Sequence, residues 1–493
     1  MKITRLTILL SVVLAGCSGR DNVNPADAVY RNGYIATMDA SDTVGQAVAV
    51  RQGRIVYVGS DAGVGKLIGP ATQVTDLNGR MLMPGLIDAH MHPLSGGAIA
   101  HDAGGAPTGI FEDEAGSLIS NAVPAATARD DVLSAQAALD AMRKQGVTTF
   151  FSALSGETEL AAFSSVQKSG GLSARGFFAP LINVEMAGAP DKAIAWLQDL
   201  AKRYDQGQPA VAPTIAVRHA KLFMDGVVQA PAFTAGLLQP YLVNKGTELD
   251  PHYVPGMNSG ELYLPPDVLH PMLAALAKAG INPHIHAIGD RAVRQSLDAV
   301  ATMRAQAPGT TVRPAIAHVE VTDPADYARF AALDATPVMS FQWAKPAPDS
   351  IEATRDFLGP DRFARLEPEG ALQAAGARVA FGSDWPVDPL NEWFALKVGV
   401  TRTNDPATWD RYPGKLNADA GLTRKQALRA ATVNAAYTLN LDKETGSLEV
   451  GKLADMIVLD RNVFTIDAEQ IANTKVLQTI VGGTVMYQAD GFK

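Results

Sequence analysis

Two histidines one residue apart close the run Met83-Pro84-Gly85-Leu86-Ile87-Asp88-Ala89-His90-Met91-His92. Its apolar centre, residues 86–89, reads as a buried strand, and residues i and i+2 of a strand project to one side. His90 and His92 therefore bring two imidazoles to the strand's end, and imidazole is the commonest protein ligand for zinc-like ions. A bare His-x-His is a weak motif, but later strand-like runs add further ligand types. One ends His284-Ile285-His286, another ends at His318, and a third leads into Gly382-Ser383-Asp384-Trp385-Pro386. Lys221 lies in His219-Ala220-Lys221-Leu222-Phe223-Met224. A buried lysine is costly unless paired or neutralised. Held with a depressed pKa beside cations, it can take up carbon dioxide and become a carbamate, an anionic ligand able to bridge two ions.

Such residues need a frame that points them at one place. From residue 86, strands are predicted at 86–89, 147–151, 174–181, 215–224, 281–287, 313–318, 337–342 and 378–383. Helices fall between them at 131–145, 158–168, 191–204, 266–279, 291–305, 324–333 and 360–375, two of them closed by Gly146 and Gly280. Eight alternating units predict an α/β fold, a (β/α)8 TIM-like barrel over residues 84–440, with its site at the carboxyl ends of the strands. Helices at 389–402 and 423–438 follow. Alternating, β-branched runs at 34–37, 46–50 and 54–58, and again at 456–459, 476–481 and 484–487, predict a small composite β-sandwich domain. It is built from both chain ends, residues 28–83 and 441–493. Long loops at 94–129 and 227–264 are placed to shape a pocket.

The 493 residues, 47% hydrophobic and 19% charged, are a globular composition with room for a large core. The net charge of −9 is scattered and no basic stripe is present, which argues against nucleic acid as a partner. Lys2 and Arg5 precede an apolar stretch at 6–14, too short to span a bilayer and fitting a signal peptide over residues 1–16. Leu14-Ala15-Gly16-Cys17 resembles the lipobox of bacterial lipoproteins. Cys17 is the single cysteine, so disulfides within one chain are excluded. The resemblance implies lipidation at Cys17, a polar tether over 17–27 and membrane contact through the N-terminal lipid only. It implies a place in the bacterial cell envelope, and Ser18 after the cysteine points to the periplasmic face of the outer membrane.

Taken together, the motifs resemble the amidohydrolase superfamily and, within it, the third amidohydrolase family, which includes N-substituted formamide deformylase. The matching stretches are Met83–His92, Lys221-Leu222-Phe223-Met224-Asp225-Gly226, His286-Ala287-Ile288-Gly289-Asp290-Arg291-Ala292-Val293, His318, Gly382–Val387 and Gly446–Asp455. The resemblance implies that His90, His92 and Asp384 hold one divalent metal and that His286 and His318 hold a second. Carboxylated Lys221 and a hydroxide would bridge the two. Zn2+ is the default, and Mn2+ or Fe2+ would fit almost as well. It implies hydrolysis of a C–N, amide-type bond in a small-molecule substrate by a metal-activated hydroxide, with Asp384 as proton shuttle. The same site would serve a lactone or phosphoester hydrolase. A non-catalytic lipid-anchored binding protein would instead show a broken ligand set. His284 and His219 read as core or supporting residues, His101 as a loop residue, and Asp225 and Asp290 as turn and cap chemistry. Relatives often carry Gln-Pro where this chain has Gln342-Trp343; Trp343 and Trp385 fit either an apolar substrate wall or the core.

Overall fold

The computed structural model describes residues 24–99, 126–207 and 209–492. The signal segment, Cys17, His101 and most of the loop after the histidine pair lie outside the described residues. Pro25 and Ala26, at the end of the expected tether, already lie on the sandwich. Ala26 is buried, its N–H on the Leu67 carbonyl, and the Pro25 carbonyl accepts from Arg51 Nε.

Eight parallel strands form the barrel: β1 Leu86–Met91, β2 Val147–Ser155, β3 Arg175–Pro180, β4 His219–Phe223, β5 Asn282–Ala287, β6 Ala315–His318, β7 Thr336–Met339 and β8 Ala380–Phe381. Each pairs with the next, β3 reaching β4 through Ile182 N–H on the Lys221 carbonyl. The ring closes between β8 and β1, where Asp384 N–H bonds to the His90 carbonyl at 2.7 Å and His92 N–H to that of Trp385 at 2.7 Å. The helices following the strands in turn are α1 Ala128–Gln145, α2 Glu157–Lys168, α3 Pro190–Tyr204, α4 Pro266–Ala279, α5 Asp290–Gln306, α6 Tyr327–Ala332, α7 Glu369–Ala374 and α8 Glu392–Thr401.

Local sequence accounts for these elements. In α1, Ala135, Ala138, Leu139 and Met142 recur at helical spacing and are the buried face. Thr127 and Asp130 form a capping box at its start. Gly146 ends it at φ +89°, and Gly280 ends α4 at φ +72°, both left-handed positions that suit glycine. The barrel interior is packed by Ile87, Ala89, Phe151, Phe177, Val338 and their neighbours, together with Ala435 and Leu439 from the last helical segment.

Three elements are shorter than the sequence patterns suggest. The run 215–224 breaks after Ala216, because Val217 N–H and the Arg218 guanidinium turn to the Asp205 carboxylate. β7 stops at Met339, where Trp343 N–H bonds back to the Ser340 carbonyl and opens a 3-10 turn. The segment 360–375 is two helical pieces, since Glu367 takes φ +54° and gives its N–H to the Glu320 carbonyl.

The sandwich draws on both ends of the chain. A six-stranded sheet runs Thr484–Gln488, Val476–Val481, Met456–Leu459, Met81–Pro84, Tyr34–Ala36 and Val44–Gly45. A four-stranded sheet runs Arg54–Gly59, Ala47–Arg51, Ala28–Arg31 and Gln73–Asp76. Ile35, Val48, Ile55, Leu82, Val458 and Ile480 fill the space between them. Barrel and sandwich are joined by a buried bidentate ion pair, Arg175 of β3 with Asp455, at 2.8 and 3.0 Å.

Candidate metal centre

The residues singled out for metal chemistry sit at one end of the barrel. His90 lies in β1 and His92 just beyond it, Lys221 is in β4, His286 in β5, and His318 ends β6. Asp384 follows β8 by three residues. A bulge re-aims β1: the register against β2 shifts between Asp88 and Met91. Ile87 and Ala89 belong to the barrel interior, and the extra residue lets His90 turn inward as well. Gly382 allows the close approach of β8 to β1, since a Cβ there would stand 2.4 Å from the Cβ of His90.

The geometry centres on Asp384. Its Oδ1 lies 2.9 Å from His92 Nε2 and 3.5 Å from His90 Nε2, and its Oδ2 lies 3.8 Å from His318 Nδ1. The ligand atoms of His90, His92 and Asp384 fall within 4.8 Å of one another. Lys221 Nζ is 3.5 Å from His90 Nε2 and stands over the Phe223 ring. The rings of His286 and His318 meet at 4.5 Å between centroids. His286 Nε2 contacts the Gly226 carbonyl at 3.0 Å, so Nδ1 is the nitrogen that would be left for a metal. The expected residues therefore converge, with His90, His92 and Asp384 the tightest group.

A metal centre needs neutral imidazoles and an uncommitted anionic oxygen, and both are present. Burial and the neighbouring Lys221 hold His90 well below the usual imidazole range and bring His286 down to about 3. Burial and the facing His286 lower His318 likewise. Burial brings the Lys221 amine down to about 7. Asp384 Oδ1 is buried and receives no hydrogen bond among the described residues, although two imidazole nitrogens face it. A buried carboxylate oxygen without a donor is costly, and a divalent cation held with His90 and His92 removes that cost. The donor set fits the group.

The supporting residues were mostly not evident from sequence. His284, opposite Lys221 in the β4–β5 register, approaches His90 Nδ1 at 2.8 Å through Nε2. That contact fixes the ring of His90 and leaves His90 Nε2 facing Asp384. His219 lies among Phe151 and Phe177, a packed barrel residue. Asp225 accepts backbone N–H bonds from Gly236, Ile288 and Gly289, tying the loops after β4 and β5 together behind His286. The two tryptophans part company. Trp385 is buried, its ring against Gly96. Trp343 is half-buried and stacks on His318 at 5.5 Å and 16°. Two residues after His318, Glu320 accepts from Gln229 Nε2 at 3.0 Å, and burial pushes its carboxyl up to about 8. His318 at φ +77° and Asp384 at φ +54°, two of the expected ligands, take the left-handed backbone conformation.

A model of the amidohydrolase family matches residues 93–487. The Arabidopsis thaliana protein LONG AFTER FAR-RED 3 is 25% identical over 550 residues, covering 94% of this chain and 92% of that protein. An N-substituted formamide deformylase of Arthrobacter pascens is 29% identical over 228 residues, 45% of this chain and 40% of the enzyme. Among solved structures, a metal-dependent hydrolase of Pyrococcus horikoshii matches at TM-score 0.66 and 20% identity, covering 90% of this chain and 99% of that one. An adenosine deaminase of Xanthomonas campestris with bound zinc matches at TM-score 0.62 and 17% identity, covering 95% of each chain. These structural likenesses show the fold.

Proposed function

The chain belongs to the amidohydrolase family of metal-dependent hydrolases, and on that premise we propose that it hydrolyses an amide-type C–N bond in a small molecule. The ligand set is His90, His92, Lys221, His286, His318 and Asp384, holding two divalent ions, Zn2+ by default, with Lys221 carboxylated. The observation that carries the reading is Asp384 Oδ1, a buried oxygen without a donor among the described residues, facing the Nε2 atoms of His90 and His92. Bound cations would acidify water toward neutrality and polarise the scissile carbonyl. Asp384 would take the proton of the attacking water and return it to the leaving nitrogen, the step on which C–N cleavage depends. His284 keeps His90 oriented while this happens. Trp343 walls the site beside His318 and favours an apolar or planar group there. The brought-down amine of Lys221 supports carboxylation, which requires an unprotonated nitrogen. The lipobox-like run ending at Cys17 supports a lipid-anchored, envelope location.

The test is metal content per chain by elemental mass spectrometry on soluble protein beginning after Cys17, beside Lys221→Ala. A content near two that falls in the variant supports the bridged pair, and near one, indifferent to Lys221, removes Lys221 from the site. No metal after reconstitution leaves a binding protein. A panel of amides, lactones and phosphotriesters then tests the bond, and turnover confined to lactones or phosphotriesters overturns the amide reading.

A further inference from the structure

A lysine beside the site is left with donors unspent. The 3-10 turn after β7 carries Trp343 against His318, and Lys345 closes that turn. Its Nζ bonds back to the Gln342 carbonyl at 2.8 Å. Gln342 Nε2 in turn reaches the carbonyl of Ser383, the residue before Asp384. Asp384 opens a second turn, closed by Val387 N–H on its carbonyl at 2.9 Å, and Asp388 comes next. Asp388 Oδ2 stands 3.8 Å from Lys345 Nζ. The ammonium therefore sits where the turn bearing Trp343 meets the turn bearing Asp384. Burial raises the Asp388 carboxyl, Lys345 lowers it, and Asp349 and Asp384 raise it again, so the pair lies within electrostatic reach of Asp384. Within residues 340–345 and 383–388, Lys345 is the one cationic side chain.

A lysine ammonium has three N–H donors. Lys345 spends one on Gln342, and Asp388 at 3.8 Å is beyond hydrogen-bond distance, so among the described residues two donors have no acceptor. The side chain is 13% exposed, so little water reaches them. A lysine placed for structure looks different in this fold. The buried ammonium of Lys397 in α8 meets the Thr403 carbonyl and hydroxyl and the Asn404 carbonyl at 2.8–2.9 Å, and Glu469 at 2.7 Å. We infer that Lys345 is a specificity-determining residue that takes a carboxylate of the substrate, on the same half of the molecule as the group packed on Trp343. The substrate is then an amide carrying an acid beside an apolar or planar group. This deepens the amide reading above and rests on it. Trp343 and Lys345 leave one turn two residues apart, which puts the two groups they meet side by side. An acid oxygen arriving within about 2.8 Å of Nζ makes a charge-assisted hydrogen bond. Asp388 does not make one, and it yields the ammonium to a substrate that does.

The experiment uses matched ligands on the Zn2+-loaded protein: racemic N-acetyl-phenylalanine and N-acetyl-leucine, each against the alcohol in which the carboxylate is replaced, N-acetyl-phenylalaninol and N-acetyl-leucinol. The readout is the acid-to-alcohol ratio, in kcat/KM and in Kd by calorimetry. The parent should favour the acids. Lys345→Met should lower the ratio on the order of tenfold to a hundredfold, the worth of a hydrogen bond to a charged group. Lys345→Arg should keep more of it than methionine does. Asp388→Asn should raise it, because a competing anion is gone. A purely structural ion pair would instead make Lys345→Met and Asp388→Asn fail alike. A parent without acid preference overturns the inference, as does a ratio lowered by Asp388→Asn. A preference that survives Lys345→Met belongs to the metals and overturns it too. If Lys345→Met loses the parent's circular dichroism, the opposite effects expected of Lys345→Arg and Asp388→Asn decide. If no ligand is turned over, the calorimetric ratios decide Lys345 alone. Acids that bind through Lys345 without turnover count against the amide reading, and acids that do not bind at all overturn the inference.

Discussion

Lys221→Met should make the metal-free protein more stable at neutral pH, although it removes a proposed ligand. The lysine is 1% exposed, its Nζ is 3.5 Å from a neutral His90, and burial brings its amine down to about 7. In the unfolded chain the same amine titrates near ~10.4. Between these two values the unfolded chain binds the extra proton, so the stability of the parent rises with pH across that window. Below pH 7 the protonated amine is carried in full. A gap of about three pH units at ~1.4 kcal/mol each makes that cost roughly 4 kcal/mol, an upper figure because buried charges relax and draw in water. Methionine fills nearly the same space without the charge. Its advantage should be largest at or below pH 7 and shrink toward nothing near pH 10. Urea unfolding of both proteins, stripped of metal and bicarbonate, at pH 6.5, 8 and 9.5 gives the comparison. Metal and bicarbonate should reverse the order, since only lysine can be carboxylated. A methionine variant less stable at pH 6.5, or a difference that ignores pH, would refute the reasoning.

Arg175→Met should cost roughly 3–5 kcal/mol, because it strands the buried Asp455 carboxylate, leaving Gly482 N–H as its one donor among the described residues. Urea midpoints should show the loss, and adding Asp455→Leu should recover much of it. In Lys221→Ala, which has no carbamate to lose as the pH falls, the retention of whatever metal it binds should be flat from pH 8 down to about 5. His90, His286 and His318 are held below the ordinary imidazole range and stay unprotonated there. Metal lost in step with an ordinary imidazole near pH ~6.5, in elemental analysis after desalting, would count against it. Trp343→Ala should leave metal content unchanged and raise KM more than it lowers kcat for substrates with an apolar or planar group, as expected for a wall stacked on His318.

Most of the barrel and the residues that converge at its end were legible because their information is local. A helix such as α1 announces its buried face, its cap and its glycine stop within one short stretch. A histidine at a strand end needs only its own strand to be recognised. What was illegible depends on partners far apart in the chain. Alternation along β1 says nothing of the bulge that lets His90 turn inward after Ala89. His284 could be placed on the inward side of β5, but its 2.8 Å contact with His90 belongs to the closed barrel. Trp343 and Trp385 could not be told apart, because which indole reaches the core depends on Gly96, on the far side of the β8–β1 seam.

The charges around the site have a direction of their own. The imidazoles of His90, His284, His286 and His318 are all held neutral by burial, and each disfavours a proton on the next. Burial drives the Asp225 carboxyl up to about 7 and the Glu320 carboxyl up to about 8, so both anions are discouraged nearby. The Lys221 amine is discouraged as a cation by the same burial. Among the described residues, Asp384 Oδ1 is left at the centre without a donor. A shell built for stability alone would have given that oxygen a donor, as it gave three to Asp88. The free energy withheld there is available to a ligand that brings positive charge and accepts imidazole lone pairs, which is the description of a divalent metal ion. Substitutions that give Asp384 a local donor should therefore stabilise the chain and weaken its hold on metal together, the trade expected where strain and function share a site.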